Sequence, residues 1–408
     1  MGEREWKEVR LGDIAQYSND KINTEKLTLD NYISTENMLP NKAGKTTATS
    51  LPSGKVLKFK YGQTLVSNIR PYFKKIWYAS INGGYSPDVL AFELLEDIDS
   101  KFFYYQLSQD IFFDYVISGS KGTKMPRGDK KQIMMYTIKL PPFPEQIAIA
   151  ATLSCLDDKI ELNNHINKTL EEIAQAIFKS WFVDFEPFQD GEFEDSELGR
   201  IPKGWRVGTI SDLGEVIGGS TPPKACPEYY TNNGIAWITP KDLSKNKDKF
   251  ISKGEIDITE LGLKNSSTQL MPKGTVLFSS RAPIGYIAIA KNDITTNQGF
   301  KSVVPKNNIG TAYIYYFLKN SLEVIENRAT GSTFKEVSGS IMKQIPALTP
   351  KDNVLLEFKN TCGKYFEYQA FLEEQNRNLA NIRDTLLPKL MSGEIRVAIE
   401  AVTTNKQG

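Results

Sequence analysis

Five stretches of the sequence interleave basic, amide and aromatic side chains: "NIRPYFKKIWY" from Asn68, "SGSKGTKMPRGDKK" from Ser118, "SSRAPIGY" from Ser279, "TNQGFK" from Thr296 and "NRATGSTFK" from Asn327. Arg and Lys can contact phosphates or guanine edges, Asn and Gln can pair with adenine, and Ser, Thr and backbone N–H groups position phosphates. The residues able to do this are Asn68, Arg70, Tyr72, Lys74, Lys75, Lys121, Lys124 and Arg127, then Ser280, Arg281, Asn297, Gln298, Lys301, Arg328, Thr333 and Lys335. Taken singly, each basic residue has the plainer reading of a solvated side chain. The case for a polyanion contact rests on clustering and on recurrence in two parts of the chain.

Other chemistry is poorly supplied. A phosphate loop would need a glycine five residues ahead of Gly44, where Leu39 stands. The sole histidine, His165, excludes paired-histidine metal sites and lies in a long helical pattern. In "SPDVLAFELLED" the position two after Glu93 is Leu95, where a nuclease pair would want lysine, so the stretch reads as a strand. No Asn-Pro-Pro or Asp-Pro-Pro stretch for adenine amino-methylation occurs, and the glycines of "GEVIGGS" lack the context of a cofactor loop. No catalytic residue, metal site or bound cofactor is expected in this chain.

Composition bounds the rest. Fifty Lys and Arg against 49 Asp and Glu give a net charge of +1, so polyanion binding must come from local patches. A chain of 408 residues, 40% hydrophobic, predicts two or more domains with true cores. Cys155, Cys226 and Cys362 form no C-x-x-C pair, which fits a reduced compartment and buried packing roles. The charged start "MGEREWKEVRLGDIAQY" and the lack of an apolar run of ~18 residues point away from export or a membrane and toward the cytoplasm.

The elements that would carry the basic loops come twice. Gly62, Leu65, Ser67 and Pro71 echo Gly274, Leu277, Ser279 and Pro283 at a separation of 212 (279−67), and Arg70 meets Arg281 after a one-residue slip. "WKEVRLGDIA" from Trp6 faces "WRVGTISDLG" from Trp205 at a separation of 199, so the second copy holds 13 extra residues (212−199). Their expected home is the loop-like "GGSTPPKACPEYYTNNG" after Ile217. "FFYYQL" from Phe102 faces "YIYYFL" from Tyr313, and "GSKGTK" near Gly119 faces "ATGSTFK" near Ala329. In each copy the short apolar runs cut by Gly, Pro and Ser predict strands, and "SKFFYYQLSQDIFFDYV" and "TAYIYYFLKNSLEVIENRA" predict one helix apiece.

Each copy ends in a heptad-like seam. Ile149, Leu153, Leu156, Ile160, Asn163, Asn167, Leu170, Ala174, Ile177 and Trp181 alternate by four and three, as a coiled coil does. Adding 209 gives Phe358, Cys362, Tyr365, Gln369, Leu372, Asn376, Leu379, Arg383, Leu386 and Leu390, so two helices of ~60 Å should pack together. Pro144 before Glu145, and Thr349 as N-cap with Pro350 following, mark the expected starts. Asn167 and Asn376 either fix the register or sit half-exposed at the seam.

Taken together, "LPPFPEQIAIA", "FKSWFVDFEPF", "SELGRIPKGW", "LMPKGTVLFSSRAPIG", "TNQGFKS" and "LLPKLMSGEIRV" span nearly the whole chain and resemble the specificity subunit of a type I restriction-modification system. The resemblance implies an α+β protein: two tandem globular target recognition domains, residues 1–143 and 205–349, separated by two long helices, 144–186 and 350–395, in an antiparallel coiled coil with a pseudo-twofold internal repeat. Residues 187–204 are then a linker and 396–408 a tail. It further implies double-stranded DNA as ligand and two methyltransferase subunits and motor-nuclease subunits as partners, which would carry S-adenosylmethionine, ATP and Mg. Each recognition domain would read one half of a bipartite site, with the halves about one ~34 Å duplex turn or somewhat more apart, and unlike loops would make the target asymmetric. The competing readings are a duplicated coiled-coil adaptor for protein partners and a nuclease.

Overall fold

The computed structural model describes residues 6–95, 97–331 and 335–398. The chain divides into two compact units: one runs to Ile160 and resumes at Asn378, and the other runs from Glu161 to Arg377.

In unit one the strand Thr64–Ser67, buried at all four residues, is central because both of its faces are covered. The sheet order is Ala15–Tyr17, Val89–Leu94, Thr64–Ser67, Ile76–Tyr78, antiparallel throughout. A second sheet orders Lys21–Asn23, Lys55–Phe59, Gly83–Tyr85 and Tyr32–Ile33, the last pair parallel. Val66, Leu90 and Phe92 of the first sheet pack on Phe103, Phe112 and Phe113 of the following helices. Each such side chain contributes about 1.5–3 kcal/mol by leaving water.

Unit two repeats the plan. Gly214–Gly218, Lys301–Pro305, Val276–Ser280 and Ile284–Ala290 form the matching sheet, extended by Phe250–Ile251. Even the short pairing that closes each module keeps its register, Lys7 opposite Leu140 in one and Arg206 opposite Thr349 in the other.

The structure corrects several local expectations. Each predicted single helix is two: Ser100–Leu107 with Asp110–Ser118, and Thr311–Asn320 with Leu322–Asn327. Ser108 ends the first by folding its hydroxyl back onto the Tyr104 carbonyl at 2.7 Å, the local competition by which serine interrupts helices. Thr349 is not a cap; it is the last residue of the strand Pro346–Thr349, and the helix starts at Asp352. Within residues 187–204, Phe193–Ser196 and Gly199–Pro202 pair as a hairpin. The insertion after Ile217 is mostly loop but holds the strand Tyr230–Thr231. Of the cysteines only Cys362 is buried; Cys155 is exposed and Cys226 is intermediate.

The two long helices are Phe143–Phe182 and Asp352–Ser392. Among the described residues no helix is long and apolar enough to cross a membrane. Their segments pack antiparallel within each unit: Ile149 and Leu153 cluster with Leu387 and Leu390 in unit one, and Ala174 and Phe178 with Phe358 and Cys362 in unit two. Of the predicted seam, Ile149, Leu153, Phe358, Leu372 and Leu390 are buried, while Leu156, Ile160, Asn167, Leu170, Ile177, Tyr365, Asn376, Leu379 and Leu386 are half-buried. The buried face is wider than a two-in-seven seam, taking in Phe178 and Phe182, because each helix also packs on a globular module.

Asn376 does bond across the helix pair, but to Asn163: the Asn163 amide donates to Gln375 and Asn376 at 2.8 Å each. Asn167 contributes its backbone carbonyl, which accepts from Gln369 at 3.0 Å.

Candidate nucleic-acid interface

The basic stretches of each module converge on one recurring device, a hairpin laid against the end of the central strand. In unit one Lys121 and Arg127 exchange backbone hydrogen bonds of 2.9 and 3.0 Å, while Arg70 N–H donates to the Pro126 carbonyl at 2.8 Å and Gly128 N–H to that of Asn68 at 3.2 Å. In unit two Thr330 and Glu336 exchange bonds of 3.0 and 2.9 Å, and Val337 N–H donates to the Ser280 carbonyl at 3.0 Å. Arg127 and Glu336 are thus structural equivalents, separated by the same 209 residues (336−127) as the helix seams.

Around this shared frame the charges change hands. In unit one the hairpin supplies the cation, Arg127, and the turn leading into the strand Val89–Leu94 supplies Asp88 at 2.9 Å. In unit two the hairpin supplies the anion, Glu336, and the sheet supplies Arg281 at 3.2 Å and Lys301 at 3.6 Å. Lys121 pairs with Asp129 at 2.9 Å, and Lys74 shares Asp110 with Lys42 at 3.1 and 2.7 Å. The hydrogen bond from Lys42, with that from Lys74, holds the Asp110 carboxyl below its usual range despite partial burial. Sequence reading found the cations and missed Asp88, Asp110 and Glu336, because their pairing spans distances along the chain that no local pattern encodes.

The remaining candidates divide by exposure. Lys124 and Lys335 are exposed, with no partner among the described residues, and Tyr72 is exposed against Phe73 with ring centres 4.7 Å apart. Lys75 donates to the Thr35 carbonyl at 2.5 Å, and Arg328 to that of Gln344 at 3.2 Å. Arg70 takes a left-handed backbone, φ 49°, unusual for a side chain of its size, and its Nε is buried with no hydrogen-bond partner among the described residues. Asn68 Oδ1 is likewise buried and unpartnered. Ser280 is fully buried with its hydroxyl on the Gly299 carbonyl at 3.2 Å, so it holds the frame and is not a contact residue. Thr333 lies outside the described residues.

Asn297 and Gln298 line an open cavity of about 510 Å³ in unit two, together with Thr239 and Lys241. Gly219 passes so close that a β-carbon there would stand 2.0 Å from the Asn297 carbonyl, which is why the insertion leaves the sheet through glycine. Unit one has a cavity of about 390 Å³, lined by Ser34, Glu36, Thr46, Ser86 and Asp88 among others.

Fold and site define a class: a duplicated α+β module, each copy presenting a charged hairpin and a polar cavity, mounted on long helices that pack antiparallel. The family model for the type I restriction modification DNA specificity domain matches residues 3–172 and 202–354, and the chain belongs to that family. It is 47% identical over 193 residues to the type I restriction enzyme MjaIX specificity subunit of Methanocaldococcus jannaschii, covering 47% of this chain and 44% of that one. It is 26% identical to the HindI specificity subunit of Haemophilus influenzae, over 96% of this chain and all of that one. The fold matches the crystal structure of a type I restriction-modification S subunit from M. genitalium with a TM-score of 0.61 at 17% identity, over 96% and 97% of the two chains. Membership carries the reading of a non-catalytic DNA-specificity subunit of a type I restriction-modification system and gives no support to the adaptor reading.

Proposed function

We propose that this chain reads a bipartite, asymmetric DNA site, one half through each module, and that its long helices scaffold two methyltransferase subunits, with motor-nuclease subunits joining for cleavage. S-adenosylmethionine, ATP and Mg then belong to those partners. The observation that carries this reading is the recurrence of one backbone frame with exchanged charges at its solvent edge, Arg127 facing Asp88 in one copy and Glu336 facing Arg281 and Lys301 in the other. A frame kept for its shape and varied at its edge is what two readers of different sequences require. The near-neutral net charge of +1 supports a reading in which much of the affinity for DNA comes from the assembled complex rather than from this chain.

Replacing Arg281 and Lys301 together by alanine changes the local charge of the Arg281, Lys301 and Glu336 group from +1 to −1. The expected result is weaker DNA binding by the methyltransferase complex, a slope of log K against log salt shallower by about 2, and unchanged co-purification with the partner. Undiminished binding with the original salt slope would remove this edge from the DNA contact.

A further inference from the structure

The two cavities occupy the same place in the duplicated module. Ser86 N–H donates to the Ile33 carbonyl at 2.9 Å, and Asn297 N–H to that of Ile238 at 3.0 Å, so Ser86 and Asn297 are equivalents at a separation of 211 (297−86). On the opposite wall the Ser34 N–H bonds Asn37 Oδ1 at 2.7 Å, and the Thr239 N–H bonds Asp242 Oδ2 at 2.8 Å. That wall, "ISTEN" in one copy and "ITPKD" in the other, repeats at a separation of 205 (238−33) and puts Glu36 where the second copy has Lys241. The residues forming the frame keep their chemistry. Those lining the opening do not: Glu36 becomes Lys241 and Ser86 becomes Asn297, while the equivalent of Asp88 is Gly299, which brings no side chain to the second cavity.

The exchange also reverses hydrogen-bonding sense. Glu36 is exposed at the mouth of its cavity, and its carboxylate, an acceptor only, lies in the field of Lys75 but makes no hydrogen bond or ion pair among the described residues. In the other cavity the Gly299 N–H donates to Asn297 Oδ1 at 2.9 Å, which occupies the carbonyl, while the amide NH2 makes no hydrogen bond among the described residues. Asp88 links this site to the hairpin device, since it lines the first cavity and pairs with Arg127.

We infer that this repeated cavity is the base-reading pocket of each module, and that Glu36 in the first and Asn297 in the second determine which base each half-site carries. The inference rests on the proposed function and adds where and by what chemistry the site is read. A carboxylate accepts from the exocyclic amine of cytosine or adenine, so the first half-site carries one of these at the position facing Glu36. The Asn297 amide donates to a major-groove acceptor, guanine O6 or N7, adenine N7 or thymine O4, so the second half-site carries one of these and not cytosine at the position facing Asn297.

The test uses the full chain co-produced with its methyltransferase partner in a host lacking adenine methylation, with modified bases mapped by long-read sequencing. Glu36→Gln is expected to relax or change one position in one half of the motif, with roughly ten-fold or greater loss of discrimination there. Asn297→Asp, which keeps the bond from Gly299, is expected to do the same in the other half only. The unaffected half is the control that each variant folds. Where a variant yields no methylation, titration of its complex against duplexes varied at that one position reads the same quantity, and near-equal affinity for the four bases is expected. A bipartite wild-type motif left unaltered by both variants would overturn the pocket assignment while leaving the proposed function standing. Absence of any sequence-specific methylation by the wild-type complex would overturn the proposed function, and the pocket with it.

Discussion

Glu171→Ala is expected to destabilise unit two by about 3–5 kcal/mol, because it strands a buried cation. Lys249, its side chain 8% exposed, places its ammonium 2.7 Å from Glu171 and 3.0 Å from Gln369 Oε1, over the Phe366 ring at 3.4 Å. The same carboxylate receives Lys319 at 2.6 Å and the Tyr316 hydroxyl at 2.9 Å. Without it, Lys249 keeps two neutral partners, Gln369 and the more distant Tyr316 hydroxyl at 3.5 Å, and ring faces, which do not replace the lost charge pairing. In thermal denaturation the loss should appear as a fall in Tm of roughly ten degrees for the unit. Adding Lys249→Met should recover most of it, since an apolar replacement of both partners leaves no unpaired charge. A single variant within about 1 kcal/mol of wild type would show that the pair contributes little.

The pH dependence follows from the same group. Burial pushes the Glu171 carboxyl up, but Lys249 and then Lys319 pull it further down, to about 2 from an ordinary 4.5. A folded-state value below the unfolded one gives stability that is full above 4.5 and lost as pH falls toward 2. Glu171→Ala should therefore flatten the acid limb of the stability profile as well as lower it.

Phe358→Ala is expected to cost about 3–5 kcal/mol and to loosen the second long helix from its module. The ring is fully buried, with centroid distances of 4.9 Å to Phe182, 6.0 Å to Phe178 and 6.5 Å to Tyr313. It therefore joins the first long helix, the second and the helix Thr311–Asn320, and truncation opens a cavity that three elements must close at once. Denaturant unfolding of the purified chain measures the loss. Phe358→Leu, which retains most of the volume, should recover more than half of it.

How much of this the sequence disclosed depended on the range of the signal. The duplication was visible because Gly62, Leu65, Ser67 and Pro71 lie in core strands and turns, where packing restricts the choice of residue. The helix seams were visible because the four-three spacing is itself the geometry of packing. The break at Ser108 was hidden because a serine in a helical pattern takes its back-bonded form only when the following chain turns away. The carboxylates that hold the candidate cations were hidden for another reason: Arg127 finds Asp88, and Lys74 finds Asp110, through tertiary closure. The echo of "ISTEN" in "ITPKD" was present all along. It is faint because the residues lining the opening differ between the copies.

Core and seam hold one backbone frame in two copies, and the frame fixes a hairpin and a cavity at the edge of each. On the proposed function, the differing side chains at those edges are what would give one molecule two sequence preferences. The most direct test maps the bases modified when the full chain is co-produced with its methyltransferase partner in a host without other adenine methylation. A split motif with two unlike halves is the predicted result. A single uninterrupted motif, a palindromic one, or no sequence preference from an assembled complex would contradict the claim that each copy reads its own half of the site.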